Sequence, residues 1–316
     1  MTRVLVIFID GIGIGEDIPA RNPFSSADMS TLTALTNGKR WVQGIGRQDS
    51  ARATFIPTDP RMGIPGRPQS GTGQATIISG KNVPALVGEH YGPKPNLATR
   101  EVLAKGTIFN DVVARGKKAA LISAYPPHLH QEIKRGKYLP SSYQQAVLQM
   151  GLPMFGVDDL RAGRALSEDW TGEAWRRQMG FTDTPLYTPE EAGARMVTIA
   201  RQYDFAFFSH WMSDVIGHRG TLEDGVKLLE LLNRVMRGVL NTWQDDEGVI
   251  VLTSDHGNME NLADRHHTEN DVPTLIVGNQ RHTVAEGLTT LADIVPGLRR
   301  VLFHESKPSM ISPTLS

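Results

Sequence analysis

The chain has 316 residues, of which 40% are hydrophobic and 21% charged, a composition that excludes a disordered or fibrous protein. Its 33 basic and 34 acidic residues leave a formal net charge of −1, which excludes broad electrostatic binding to nucleic acid or to an anionic membrane. The chain has no cysteine, so disulfides, thiolate metal sites and cysteine nucleophiles are excluded as well.

Five short apolar runs predict the strands of one sheet: residues 4–9, 119–123, 205–209, 249–253 and 274–277. Continuous runs rich in branched side chains are typical of strands buried on both faces of a parallel sheet. The first run is only six residues long, which is too short for an export signal or a membrane-spanning helix, so we expect a cytoplasmic protein.

Helical patterns alternate with these runs. Thr188, followed by Pro189 and two glutamates, predicts a capped helix start, and that helix should extend to about Gln202. From Leu222 to Trp243, apolar residues recur every three or four positions, which predicts a long amphipathic helix. The alternation predicts an α/β fold with a doubly wound, mostly parallel sheet, that is, an α/β/α sandwich.

Residues 125–188 interrupt this alternation, because they contain many prolines, glycines and polar residues. We therefore expect a single domain over residues 1–316 with an insertion at about 125–188. Two interpretations of the insertion remain open, namely a small cap over the active-site edge of the sheet and a surface excursion with a minor core of its own.

Ionisable side chains follow or precede the predicted strands at one edge of the sheet. They are Asp10 after the first strand, Asp214 and His218 after the third, Asp255 and His256 after the fourth, and His267 before the fifth. Ligands of open α/β sheets bind outside the carboxyl ends of the strands. Three carboxylates and three imidazoles suit two divalent cations, and a pair of cations about 3.5–4 Å apart supports in-line phosphoryl displacement.

A nucleophile is also present in the sequence. Ser70 lies in a glycine-rich turn before residues 75–80, which have small and apolar side chains typical of a helix. A hydroxyl at a helix start gains from the positive end of the helix dipole and from free N–H groups. A nearby cation would ease the loss of its proton. Thr72 is a weaker alternative in the same turn.

Five motifs in this order resemble the alkaline phosphatase superfamily: DGIG at 10–13, QSGTGQ at 69–74, Asp-x-x-x-His at 214–218, SDHGN at 254–258 and HHTENDVP at 266–273. Their order is similar to that in cofactor-independent phosphoglycerate mutase and phosphopentomutase. The resemblance implies that Ser70 is phosphorylated during the reaction. It further implies one metal site of Asp10, Asp255, His256 and the Ser70 oxygen, and a second of Asp214, His218 and His267.

Two departures separate this chain from those mutases. Gln74 stands where they have a histidine, and only the short insertion is available where phosphoglycerate mutase has a large second domain. Lys134, Arg135 and Lys137 in the insertion form either a phosphate-binding group or a solvated basic turn. A short, loosely built cap should admit water, so we expect phosphate to be released rather than returned to the substrate.

The sequence therefore predicts a metal-dependent phosphatase that acts on small phosphate monoesters through a phosphoserine, with no nucleic-acid or membrane partner. The expected cofactors are two divalent cations, manganese or zinc, with magnesium permitted. Alternative hypotheses are a phosphomutase, a phosphodiesterase and a metal-binding scaffold without turnover. A dinucleotide site is discarded, because glycines 11, 13 and 15 do not match the spacing G-x-G-x-x-G.

Overall fold

The computed structural model describes residues 2–304. Its seven-stranded sheet has the order β2-β3-β7-β6-β1-β5-β4. The strands are β1 Arg3–Ile9, β2 Gln48–Asp49, β3 Ala53–Thr58, β4 Ala119–Leu121, β5 Phe205–His210, β6 Gly248–Thr253 and β7 Val272–Val277. All five predicted strands are present, and the two at the other edge, β2 and β3, were not predicted.

The sheet is mostly parallel, as predicted. Strands β4, β5, β1 and β6 form a continuous parallel block, and β7 pairs antiparallel with both β6 and β3. Parallel neighbours require a crossover, usually through a helix. The chain between β6 and β7 contains no α-helix, so it returns at the edge where β6 ends. The residues after β6 and those before β7 therefore lie side by side.

Helices cover both faces of the sheet. They are α1 Ser30–Ala34, α2 Ser70–Ser79, α3 Val83–Val87, α4 Leu97–Ala104, α5 Ile108–Ala114, α6 Pro127–Lys134, α7 Ser142–Gln149, α8 Val157–Arg161, α9 Glu173–Arg177, α10 Pro189–Ala200, α11 Met212–Arg219, α12 Leu222–Thr242, α13 Arg281–Ala285 and α14 Ile294–Phe303. Short 3-10 turns occupy Pro23–Ser25 and Leu291–Asp293. No helix within residues 2–304 is long and apolar enough to cross a membrane.

Two hydrophobic cores lie on opposite faces of the sheet, and β1 contributes to both. Leu5, Ile7 and Ile9 belong to the core that also contains α10 and α12 side chains. Val4, Val6 and Phe8 belong to the core that contains side chains of α2, α5 and α14. Because successive side chains of a strand point to opposite faces, an unbroken apolar run is the pattern that this double burial requires.

Helices α10 and α12 pack against each other in one of these cores. The Thr188 hydroxyl accepts a hydrogen bond from the Glu191 N–H, so α10 begins at the predicted cap and ends at Ala200. A Cβ on Gly193 would lie 2.0 Å from the Val235 carbonyl oxygen, and one on Gly238 would lie 2.0 Å from that of Glu190. The two glycines therefore permit a backbone-to-backbone approach that larger residues would prevent.

The insertion is packed into the body of the protein. Trp170 and Trp175 are buried in the core beneath α10 and α12, whereas Tyr143 and Val147 are buried in the opposite core. The Trp170 ring stacks on His210 at the end of β5, with ring centroids 4.0 Å apart. These contacts anchor the segment on both faces of the sheet, but the single-domain organisation and the role as a cap stay predictions.

Candidate metal centre

Asp10 occupies the carboxyl end of β1, in the middle of the parallel block. The next residue, Gly11, has φ +69°, and a Cβ on it would lie 2.8 Å from the Asp214 Cβ. A residue without a side chain is therefore needed where the chain turns against α11. This close approach brings the carboxylates of Asp10 and Asp214 into one group.

A first cluster forms where β1, β6 and α2 meet. His256 Nε2 lies 2.9 Å from Ser70 Oγ, 3.3 Å from Asp10 Oδ1 and 3.6 Å from Asp255 Oδ2. The side chains of Asp255 and His256 are fully buried, and that of Asp10 is 9% exposed. The structure thus brings together the four residues that the sequence assigns to one metal site.

A second cluster lies beside the first, at α11 and the start of β7. Asp214 Oδ2 lies 3.4 Å from His218 Nε2, and Asp214 Oδ1 lies 3.5 Å from His267 Nε2. The two histidine Nε2 atoms are 3.2 Å apart. The Asp214 carboxylate also groups with Asp10 and His256, and the His256 and His267 rings stack at 3.7 Å. The clusters are therefore contiguous and share Asp214.

The carboxylates of this centre carry more charge than their protein partners balance. Burial, reinforced by the charge of Asp214, raises the pKa of Asp10 well above its ordinary value. Burial also raises the pKa of Asp255 to about 7, and the Asp10 carboxylate adds to this effect. Burial opposes ionisation of Asp214 too, but its bond to His267 and the charge of His256 outweigh burial and lower its pKa.

Two buried oxygens of the first cluster have no hydrogen-bond partner. Within residues 2–304, nothing donates to Asp10 Oδ1 or to Asp255 Oδ2. An unpaired buried oxygen is costly, and a carboxylate without a balancing charge is more so. Carboxylate oxygens and imidazole nitrogens together suit divalent transition metals. The donor set therefore fits metal cations, which would balance these charges and complete the coordination of both oxygens.

The contacts of Ser70 and His256 do not form a serine–histidine–aspartate relay. In such a relay the carboxylate binds Nδ1 while the serine binds Nε2. Here the serine and both aspartates surround Nε2, and Nδ1 faces the Gly257 carbonyl oxygen at 3.3 Å. Donors that converge on one point suit a cation at that point.

A family model matches the part of the chain that carries most of the clustered ligands. Residues 186–302 match the family model described as the metalloenzyme superfamily. The likeness to this model is confined to this part of the chain. It contains α11, which carries Asp214 and His218, and the connection between β6 and β7, which carries Asp255, His256 and His267.

Known relatives agree with this assignment. The 2,3-bisphosphoglycerate-independent phosphoglycerate mutase of Thiobacillus denitrificans is 30% identical over 123 residues, which are 37% of this chain and 24% of the mutase. The match therefore spans about a quarter of the length of that curated relative. The predicted resemblance to phosphoglycerate mutases of this type is confirmed over that part of the chain.

Solved structures extend the likeness of the fold to nearly the whole chain. A protein from Pyrococcus horikoshii has a TM-score of 0.56 and 15% identity, with 97% of this chain and 99% of that chain covered. The phosphoglycerate mutase of Leishmania mexicana has a TM-score of 0.52 and 12% identity, with 99% and 97% covered. These likenesses confirm the predicted α/β fold.

At this candidate centre, Ser70 and Thr72 have different surroundings. Ser70 is the first residue of α2, and its hydroxyl faces His256. The Thr72 hydroxyl lies against the carbonyl oxygens of Gln69 and Tyr91 and accepts a hydrogen bond from the Tyr91 N–H. The Thr72 hydroxyl is therefore engaged by the backbone, and the Ser70 hydroxyl points to the metal ligands.

Three side chains at the centre were not identified as site residues from the sequence. Gln74, one helical turn after Ser70, donates from Nε2 to Asp10 Oδ2 at 3.1 Å. Asn258 donates from Nδ2 to Asp214 Oδ1 at 2.8 Å. The charge of Lys94 partly offsets the rise that burial and Asp214 cause in the pKa of Asp10. Asn258 lies within the SDHGN motif and Gln74 is where the QSGTGQ motif departs from the mutases, whereas no pattern in the sequence marks Lys94.

The insertion places its basic residues in solvent and other side chains near the centre. Lys134, Arg135 and Lys137 are exposed at the end of α6, where Arg135 pairs with Glu132. Ser142 of the insertion donates a hydrogen bond to the Gly71 carbonyl oxygen beside Ser70, and Tyr138 and Glu168 are linked to the centre through Lys94. Tyr138 Oη accepts a hydrogen bond from Lys94 Nζ at 2.8 Å. Burial raises the pKa of Glu168 to about 8. Its carboxylate accepts a hydrogen bond from Trp211 Nε1, and this bond and the charge of Lys94 partly offset the rise.

Proposed function

We propose that this chain is a two-metal phosphatase that cleaves phosphate monoesters through a phosphorylated Ser70. One cation would be held by Asp10, Asp255, His256 and the Ser70 oxygen, and the other by Asp214, His218 and His267. The mixed oxygen and nitrogen donors favour manganese or zinc. The observation that carries the proposal is the position of Ser70 Oγ, 2.9 Å from His256 Nε2 at the centre of the first cluster.

The chain's own groups suit a two-step transfer. In the first step Ser70 Oγ forms a bond to phosphorus, the ester oxygen leaves, and the serine proton ends on the leaving alcohol. In the second step water attacks phosphorus, Ser70 recovers a proton, and inorganic phosphate departs. The two bound cations would lower the pKa of the serine hydroxyl and balance the charge of the phosphoryl group.

Lys94 and the start of α2 would bind the phosphoryl oxygens. The Ser70 and Gly71 N–H groups precede the first helical hydrogen bond of α2, which runs from the Gly73 N–H to the Gln69 carbonyl. Free N–H groups at a helix start favour an anion. The charge of Lys94 already acts on Asp10, and its bond to Tyr138 holds it beside the insertion. A phosphate-binding role for Lys134, Arg135 and Lys137 stays a prediction.

Phosphate release is favoured over phosphate return by the exposure of the insertion's basic residues. A mutase must hold its intermediate over the phosphoserine while water is excluded. Here the three basic residues at the end of α6 face solvent. The second candidate function is a phosphomutase, and the 30% identity to a phosphoglycerate mutase favours it.

The test is incubation of the chain with a panel of labelled phosphate monoesters and either Mn²⁺ or Zn²⁺. Free phosphate and isomeric esters are separated and counted, and acid-quenched protein is searched for a phosphopeptide containing Ser70. We expect free phosphate and a phosphorylated Ser70, both lost in Ser70→Ala and retained in Thr72→Val. Isomers with negligible free phosphate would establish the mutase, and metal binding without either product would establish a scaffold.

A further inference from the structure

Glu260 is a buried acid in the connection between β6 and β7, and the proposed mechanism does not use it. Glu260 is only 1% exposed. In the part of the chain that the structure describes, no lysine, arginine or histidine forms an ion pair with it. A carboxylate this deeply buried requires hydrogen bonds from several donors. The identity of those donors shows what the residue does.

Four neutral groups donate to the two carboxylate oxygens. Glu260 Oε2 accepts from the Gly13 N–H at 2.9 Å and from the Asn258 N–H at 2.7 Å. Glu260 Oε1 accepts from Asn270 Nδ2 at 3.0 Å and from the Thr268 hydroxyl. Each oxygen thus receives two hydrogen bonds, and only an ionised carboxylate can accept all four.

Glycines allow the backbone to come this close to the carboxylate. A Cβ on Gly13 would lie 2.4 Å from Glu260 Oε1, and one on Gly257 would lie 2.2 Å from the same atom. Neither residue has a positive φ, so the glycines are required for space and not for a left-handed turn. The Gly-rich sequences of both loops therefore serve the packing around Glu260.

The donors belong to three of the segments that carry proposed metal ligands. Gly13 is in the turn after Asp10, Asn258 is two residues after His256, and Thr268 directly follows His267. The Asn258 side chain in turn donates to Asp214, the carboxylate shared by the two clusters. One carboxylate thus joins the loops of both proposed metal sites.

We propose that Glu260 is a positioning residue that sets the affinity of this centre for its metal cations. It holds the loops after β1 and β6 and before β7 at fixed separation, so the ligands are arranged before a cation arrives. The inference rests on the proposed two-metal function. Residues that orient metal ligands typically contribute 10- to 100-fold to metal affinity.

The test is calorimetric titration of the metal-free full chain with Mn²⁺, in the wild type and in Glu260→Gln. The amide replaces one acceptor oxygen with a donor, which leaves two N–H or O–H donors without a partner. The matched control is Glu269→Gln, which removes the same charge from an exposed residue two positions after His267. We expect Mn²⁺ to bind Glu260→Gln about 10- to 100-fold more weakly than either the wild type or the control.

A second pair of variants guards against misfolding of Glu260→Gln. Thr268→Val removes one donor to Glu260 and keeps the side-chain shape, whereas Thr268→Ser keeps the hydroxyl. Thr268→Val should weaken Mn²⁺ binding and Thr268→Ser should restore it, with melting temperatures of the chelated variants within a few degrees of each other. Unchanged Mn²⁺ affinity in Glu260→Gln and Thr268→Val would overturn the inference alone. A wild type that binds neither Mn²⁺ nor Zn²⁺ would overturn the proposed function as well.

Discussion

Replacement of Asp214 by asparagine should reduce by more than half the stabilisation that divalent cations give to this protein. Asp214 lies 3.4 Å from His218 and 3.5 Å from His267, and it also groups with Asp10 and His256. The substitution keeps the shape of the side chain but removes the charge that both clusters share. It should therefore weaken both sites, whereas loss of a ligand used by one cluster should weaken one.

The expected size of the effect follows from linkage. A cation at 100 times its dissociation constant stabilises the native state by about 2.7 kcal/mol per site. In a chain of this length, 1 kcal/mol corresponds to roughly 2 °C in Tm, so each site should contribute about 5 °C. The charge of Asp214 also raises the pKa values of Asp10 and Asp255. Although burial opposes it, the bond to His267 and the charge of His256 lower the pKa of Asp214 itself, so its ionised carboxylate stabilises the native chain, and the chelated variant should melt below the chelated wild type.

The assay is thermal unfolding of both proteins in a chelator and in a series of Mn²⁺ concentrations. Asp264→Asn is the matched control, because Asp264 lies in the same connection as His267 but is bonded to the exposed His266. The wild type and Asp264→Asn should gain about 10 °C at saturation, and Asp214→Asn should gain less than half of that. An undiminished gain in Asp214→Asn would refute the assignment of Asp214 to both sites.

Three further outcomes follow from the same structure. Burial, with the Asp10 carboxylate, raises the pKa of Asp255 to about 7, so the native metal-free protein binds more protons than the unfolded chain between about pH 4 and 7. Its stability in urea should therefore fall by on the order of 4 kcal/mol as the pH rises through that interval, and a rise would contradict the burial argument. Gly73→Ala should slow turnover and weaken Mn²⁺ binding, because a Cβ there would lie 2.9 Å from the Asp255 Cβ and displace both that proposed ligand and α2, which carries Ser70; unchanged turnover would show that the position of α2 is not critical. Gly238→Ala should lower Tm by separating α10 from α12, at a cost of about 1–3 kcal/mol, and should leave metal affinity as it is; an unchanged Tm would contradict the close packing.

The strands buried on both faces could be predicted from the sequence because their environment dictates their composition. A strand such as β1, with side chains in two cores, needs an unbroken apolar run, and such runs are rare by chance. Strand β2 has two residues and β3 contains Pro57, so neither presents a comparable pattern. Their place at the sheet edge is decided by pairing with β7, which is a long-range contact.

The sequence also predicts which residue types form the candidate centre. Aspartates and histidines directly after buried strands must gather at one edge of a parallel sheet, because that is where those strands end. The sequence alone did not determine the direction of β7. That direction brings His267 beside His256, and it depends on the absence of a crossover helix between β6 and β7.

The tertiary structure determines which of the remaining polar residues lie at the candidate metal centre. Lys134, Arg135 and Lys137 form a basic cluster in the sequence, and in the structure the end of α6 that carries them faces solvent. The charge of Lys94, which lies in another loop, acts on Asp10. In the sequence, Glu260 is indistinguishable from any other acidic residue in a polar loop. Its four hydrogen-bond donors are visible only in the structure. Local sequence determines whether a segment becomes a strand or a helix, because the relevant contacts are with the segment's own backbone and its buried faces. The partners of a single polar side chain depend on how the loops meet: Glu260 bonds to Asn258, Thr268 and Asn270 nearby and to Gly13, which is 247 residues away, so only the assembled loops determine them.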